Sequence, residues 1–253
     1  MAGFPDAAVR MQRVLADAEV TTERVVRVLG AEPVLAAQLL QISNSVAREP
    51  AGKPMTDLHT AVTCVGPDVV HTATIAFAVR QLRGSASLQI QKPLEELWRR
   101  NVLIASLCHL LARRYSQVNP GTALLAGMLH GIGRLYIMTR AAKYPALFAN
   151  LASYHAIERD WHLSMAAALL ESWKVAVEIV QAVRDSEDLS NGLSARSDLG
   201  ELLLAANLMV IHQGDQVLLG ARLQSVKSVK LDTRICEELV RESETQSVAK
   251  ALS

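Results

Sequence analysis

Glu32-Pro33-Val34-Leu35-Ala36-Ala37-Gln38-Leu39-Leu40-Gln41-Ile42-Ser43-Asn44-Ser45 is the stretch on which the fold class turns. Pro33 suits the first turn of a helix, where its missing N–H costs nothing. From there Leu35, Leu39, Ile42 and Val46 fall at offsets 0, 4, 7 and 11, one apolar line on a helical surface. Gln38, Gln41, Ser45 and Arg48 make a polar stripe about a quarter-turn away. Asn44-Ser45 reads as a cap or a lock of side chain on backbone. Glu49-Pro50-Ala51-Gly52-Lys53-Pro54 then ends the helix as a turn.

The same periodicity recurs along the chain, punctuated by Pro and Gly. Thr56 is expected to cap a short helix through Val65, Gly66 to break it, and Pro67 to open another to Arg83. Gly-Ser-Ala-Ser at 84–87 reads as a linker. Pro93 starts the longest helix, to Tyr115. On it Arg100 lines up with Leu103, Leu107 and Leu111 facing inward, while Glu95, Arg99, Ser106, His109 and Arg113 form a solvent stripe. Further helices are expected at 121–139, 145–156, 162–173, 176–185, 197–213 and 233–250. No sustained two-residue alternation signals strands. The class is all-α, and the expected division is an N-terminal helical lobe over 1–84, a second helical lobe over 85–213 and a helical extension over 214–253.

Composition narrows the function. The 26 basic residues balance 25 acidic ones, which is not the electrostatic footprint of a nucleic-acid binder. Arg222, Lys227, Lys230 and Arg234 read as a solvated face. Aromatic residues are 4%, too few for a base-stacking surface. Cys64, Cys108 and Cys236 form no CxxC pattern and read as reduced core thiols of a cytoplasmic protein. The apolar runs Val102–Ala112 and Leu202–Ile211 fall short of the ~18 residues of a membrane span. No nucleophile elbow, phosphate-binding loop or zinc-protease motif is present. Asp185-Ser186-Glu187-Asp188 reads as a solvated acidic turn.

Three stretches together resemble the HDOD family, a branch of the HD-domain superfamily. The first is the opening stretch with Leu58-His59-Thr60-Ala61-Val62 and Val65-Gly66. The second is Leu97-Trp98-Arg99-Arg100 with Ala126-Gly127-Met128-Leu129-His130-Gly131-Ile132-Gly133. The third is His162 with Ala168-Leu169-Leu170-Glu171-Ser172-Trp173. They fall in the family's order over residues 22–212, leaving 1–21 and the tail outside. The resemblance implies an N-terminal helical lobe packed on an HD-like bundle, with Trp98 and Trp173 as core anchors.

HD phosphohydrolases hold a divalent ion with a His, a His-Asp doublet and a later Asp, and the ion activates water. Carried onto this sequence, those positions are Arg100, His130, Gly131 and Asn207. Arg100 brings a permanent cation, Gly131 no side chain, and Asn207 only a neutral carbonyl. The resemblance therefore implies a non-catalytic signalling module that uses no cofactor and works through other signalling proteins; the charge balance and the short apolar runs add the expectation of no nucleic-acid or membrane partner.

Each position also has a plainer structural reading. His130 can donate a ring proton to a backbone carbonyl, Arg100 can pair with Glu96 one turn earlier, and Asn207, flanked by Leu203 and Ile211, can bond between helices. Alternatively Arg100, His130, Gly131, Asn207 and His162 line a degenerate pocket for a nucleotide or cyclic dinucleotide. The remaining alternative is a residual metal-dependent phosphohydrolase, for which His130, His155, Asp160 and His162 are the raw material.

Overall fold

The computed structural model describes residues 6–15, 17, 19–31, 33–46, 56–84, 88–144, 146–147, 150–173, 175–187, 196–226 and 231–245. Among them there is no strand, and the chain divides into two compact units, one holding the helices within Met1–Ser85 and the other those of Ala86–Glu244.

The first unit contains α1 (Asp6–Leu15), α2 (Thr22–Gly30), α3 (Pro33–Val46) and α4 (Leu58–Gly84), the first three packed on the fourth. Leu35, Leu39 and Ile42 are fully buried, as their spacing requires. Gln38 is buried too, so the polar stripe of α3 is interrupted. The Asn44 amide donates to Leu40 O at 2.9 Å, a lock onto its own helix. The turn expected at 49–54 lies outside the described residues. Asp57, rather than Thr56, caps α4: its Oδ2 accepts from Thr60 N at 2.7 Å and Thr60 Oγ1 at 2.8 Å, two bonds from one carboxylate. Gly66 breaks α4 with φ +78°, a conformation that side chains resist.

By length and composition Leu58–Ala78 is apolar enough to cross a membrane, which the apolar runs in the sequence did not suggest; 61% of its most apolar window is buried.

In the second unit α5 (Leu88–Tyr115) is the central element. It begins five residues before Pro93, which sits inside its early turns and removes one helical hydrogen bond. The expected linker at 84–87 lies largely outside the described residues. Ser106 and His109 are buried rather than solvent-facing, because α6 (Pro120–Leu129) and α10 (Asp198–Ile211) both pack on α5. Their polar atoms are satisfied locally, Ser106 Oγ by Val102 O (2.9 Å) and His109 Nδ1 by Pro120 O (3.1 Å).

The helix expected over 121–139 is two, α6 and α7 (Ile132–Ala141). The carbonyl of Gly127, which would accept Gly131 N–H in a continuous helix, takes the His130 side chain at 2.6 Å. Conversely 145–156 and 162–173 merge into α8 (Leu151–Ser172), capped by Asn150. α9 (Val177–Asp185) leads toward α10, followed by α11 (Gln216–Leu223), which the sequence did not announce, and α12 (Thr233–Thr245). Cys108 and Cys236 are buried free thiols, whereas Cys64 is exposed.

Candidate functional site

Arg100 on α5 and Asn207 on α10 meet directly: Arg100 Nη2 donates to Asn207 Oδ1 at 3.1 Å. Glu96, the partner expected one turn away, is exposed, and no carboxylate lies within ion-pair distance of Arg100 among the described residues. Asn207 is 2% exposed, and its amide reaches Ser186 O at 3.5 Å. Burial pulls the Arg100 guanidinium below its ordinary pKa, and the Arg134 charge pulls the same way; Glu187 and Glu158 partly offset them.

The corner between α6 and α7 supplies His130 and Gly131. His130 Nδ1 must carry a proton to donate to Gly127 O, which leaves Nε2 as the bare nitrogen of a neutral ring. Burial drives the imidazole down to about 4, opposed by the Gly127 carbonyl and reinforced by the Arg100 charge. Gly131 has ordinary backbone angles, φ −86° and ψ 4°. A Cβ there would nevertheless come within 2.7 Å of Asn101 Cγ and closer still to its amide atoms.

One turn along α7, Arg134 anchors an ion cluster. Its Nη2 donates to both oxygens of Glu187, at 2.7 and 2.8 Å, and lies 2.9 Å from His162 Nε2. Its Nη1 is 3.7 Å from Glu158. His162, 4% exposed on α8, donates from Nδ1 to Glu158 O at 2.8 Å, and its Nε2 stands 3.0 Å from Glu187 Oε2. A neutral ring accepts from Arg134, and a protonated one donates to Glu187. Burial alone would raise the Glu187 carboxyl; the His162 hydrogen bond and the Arg134 charge outweigh it and hold the group far below the carboxylate range.

Gly133 explains how α7 reaches this cluster. A Cβ at Gly133 would collide with the backbone of His162 and come within 2.9 Å of Ala166 N, so the two helices touch main chain to main chain. Gly127 plays the same part between α6 and α5, its absent Cβ 2.5 Å from Ala105 Cα.

The structure thus joins Arg100 to Asn207, places His130 within reach of the Arg100 charge, and ties His162 to Arg134. His155 touches the cluster only at its edge, its Nδ1 3.5 Å from Glu158 with the side chain 65% exposed, and Asp160, 56% exposed, pairs with Arg159 instead. Glu187 and Arg134 were missed: the acidic turn expected at 185–188 carries a fully buried Ser186 and a paired Glu187. Among the described residues no three His, Cys, Asp or Glu side chains are grouped to hold a metal ion. A cavity of about 210 Å³ lined by Met209, His212, Leu219, Cys236 and Val240 shares no residue with the cluster.

The sequence profile of the HDOD domain matches residues 1–189, so it includes the first 21 residues and stops short of Asn207. The solved structure of a Shewanella amazonensis SB2B protein whose name proposes a metal-dependent phosphohydrolase is similar, with a TM-score of 0.79 at 22% identity, covering 99% of this chain and 91% of that one. An HDOD domain protein of unknown function from Geobacter sulfurreducens gives 0.67 at 19% identity, over 98% and 91%. A Marinobacter aquaeolei VT8 protein whose name proposes a signal transduction role gives 0.63 at 21% identity, over 98% of this chain and 59% of that one. These identities establish likeness of fold alone. No curated protein matches the sequence.

Proposed function

The chain belongs to the HDOD family, and from that premise we propose that it is a non-catalytic signal-transduction module of the bacterial cytoplasm, acting through contacts with other signalling proteins. The observation that carries this reading is the 3.1 Å hydrogen bond between Arg100 and Asn207. Carried onto this chain, the pattern of the HD phosphohydrolases makes these two positions ligands of one ion; here one is a cation that binds the other. A guanidinium repels a divalent ion, and Gly131 offers it nothing. His130 contributes one imidazole nitrogen, and a hard cation needs several ligands. The residues do not fit a divalent ion, so the activated water of an HD hydrolase has no basis here. The signalling name carried by the Marinobacter relative supports the regulatory side of the reading.

Hydrolysis of phosphate monoesters and diesters in Mn²⁺ or Mg²⁺ tests the non-catalytic part. The expected rate is that of the buffer blank. Metal-dependent turnover that disappears in His130→Ala would overturn it.

A second reading, a sensor of a nucleotide or cyclic dinucleotide, is favoured by one observation: Arg100 is half-buried and carries no ion pair among the described residues.

A further inference from the structure

One guanidinium and one imidazole hold a carboxylate in the second unit. Glu187 is held as a ligand would be, with three contacts on its two oxygens, from Arg134 (2.7 and 2.8 Å) and from the His162 ring (3.0 Å). Its side chain is 23% exposed, so it has a path to water. Arg100 is linked to this group through Asn207, to which it donates at 3.1 Å and whose amide lies 3.5 Å from the carbonyl of Ser186, the neighbour of Glu187 in sequence. With no carboxylate at ion-pair distance among the described residues, the Arg100 guanidinium keeps donors that a ligand anion can take.

We propose that Arg100, Arg134 and His162 form a receptor for a phosphate group, and that the Glu187 carboxylate is its internal occupant, displaced when the ligand binds. A carboxylate is one charge on two oxygens, and the cluster spends it on Arg134 and His162, leaving Arg100 unmatched. A phosphate brings close to two charges and one more oxygen, enough to accept from both guanidiniums and the imidazole together. Glu158 stays 3.7 Å from Arg134, with His155 Nδ1 3.5 Å from its other oxygen, and limits the affinity without filling the site. The freed Glu187 would pass into solvent, so phosphate binding would change the surface formed by the end of α9. The inference deepens the sensor reading, and rests on Arg100 being a ligand-binding cation rather than a bystander to a metal.

The test is calorimetric titration of inorganic phosphate, and separately of a nucleoside monophosphate, into the full chain in a phosphate-free buffer at matched ionic strength. Three variants join the wild type: Glu187→Gln, Glu187→Asp and Glu187→Gln with Arg100→Gln. Removing an internal competitor raises the competent fraction, so Glu187→Gln is expected to bind at least about tenfold tighter than wild type. Glu187→Asp, which keeps the charge and guards against a folding defect, is expected to fall between them. The double variant is expected to lose the gain. The tighter of the two probes tells whether the ligand is a free ion or an ester. Phosphate binding that is no tighter in either Glu187 variant, or that survives Arg100→Gln, would overturn the inference. A parallel titration with Mn²⁺ alone separates the two readings: uptake of Mn²⁺ by the wild type contradicts the non-metal account, while silence with both metal and phosphate sinks only the receptor.

Discussion

The side chain of Asn101 stands where a Cβ on Gly131 would have to go. Asn101 is 3% exposed and its Oδ1 has no hydrogen-bond partner, so it fills this space by packing rather than by bonding. An aspartate at 131, as in the HD pattern, would therefore first have to displace the Asn101 side chain. Gly131→Asp is expected to destabilise the protein by about 1–3 kcal/mol through overpacking. The cost should shrink when Asn101→Ala is combined with it. Urea denaturation of the four proteins in this double-mutant cycle measures the coupling. Strict additivity would mean that the two positions do not compete for space.

His130 makes stability depend on pH. Above the ordinary value of 6.5 the ring is neutral in both folded and unfolded chains, and its contribution is complete. Between 6.5 and about 4 the unfolded chain takes up a proton that the buried ring refuses. Stability therefore falls as pH drops through this window, by about 3 kcal/mol at the lower end. His71 is displaced in the same direction, so the His130 part must be isolated by substitution. His130→Asn is expected to show a shallower loss between pH 6.5 and 4, by about one proton. An unchanged slope would assign the dependence elsewhere.

The glycines separate by what lies in front of them. Gly133→Ala drives a methyl into the backbone of α8, where nothing flexible can yield, and is expected to cost about 3 kcal/mol or more. Gly30, in the last turn of α2, has nothing within 4 Å of its missing Cβ. Gly30→Ala should stabilise by about 0.4–1 kcal/mol, chiefly by restricting the unfolded chain. Melting temperatures of the two variants should move in opposite directions.

Arg134 and Glu187 are coupled across 53 residues of sequence. Both side chains are about four-fifths buried, and removing one leaves the other charged and poorly solvated. A cycle of Arg134→Met and Glu187→Gln should give an interaction of about 1–3 kcal/mol at neutral pH. The carboxyl is held below its ordinary 4.5, so its contribution is complete above that value. It is lost as pH falls below 4.5, and the coupling should fade with it.

The sequence made some of this legible and hid the rest for physical reasons. Leu35, Leu39 and Ile42 report their own helix because burial follows its period, and Gly66 reports a break because its φ of +78° suits glycine. Arg100 and Asn207 were visible as polar residues on apolar rows. Glu187 was not: an acidic residue in a turn looks solvated until the distant Arg134 and His162 are known to surround it. Ser106 and His109 misled in the opposite direction, since polar side chains that bond to nearby carbonyls can be buried at little cost.

The central claim is that the positions of the HD metal site no longer take a metal. The direct measurement is thermal unfolding of the chelator-treated protein with and without Mn²⁺, Mg²⁺ and Zn²⁺, with metal analysis of the protein as purified. An ion present at 100 times its dissociation constant would add about 2.7 kcal/mol of stability, which a melt resolves easily. The account predicts no stoichiometric metal and no shift with any of the three. Metal at one ion per chain, or a shift that vanishes in His130→Ala, would contradict it.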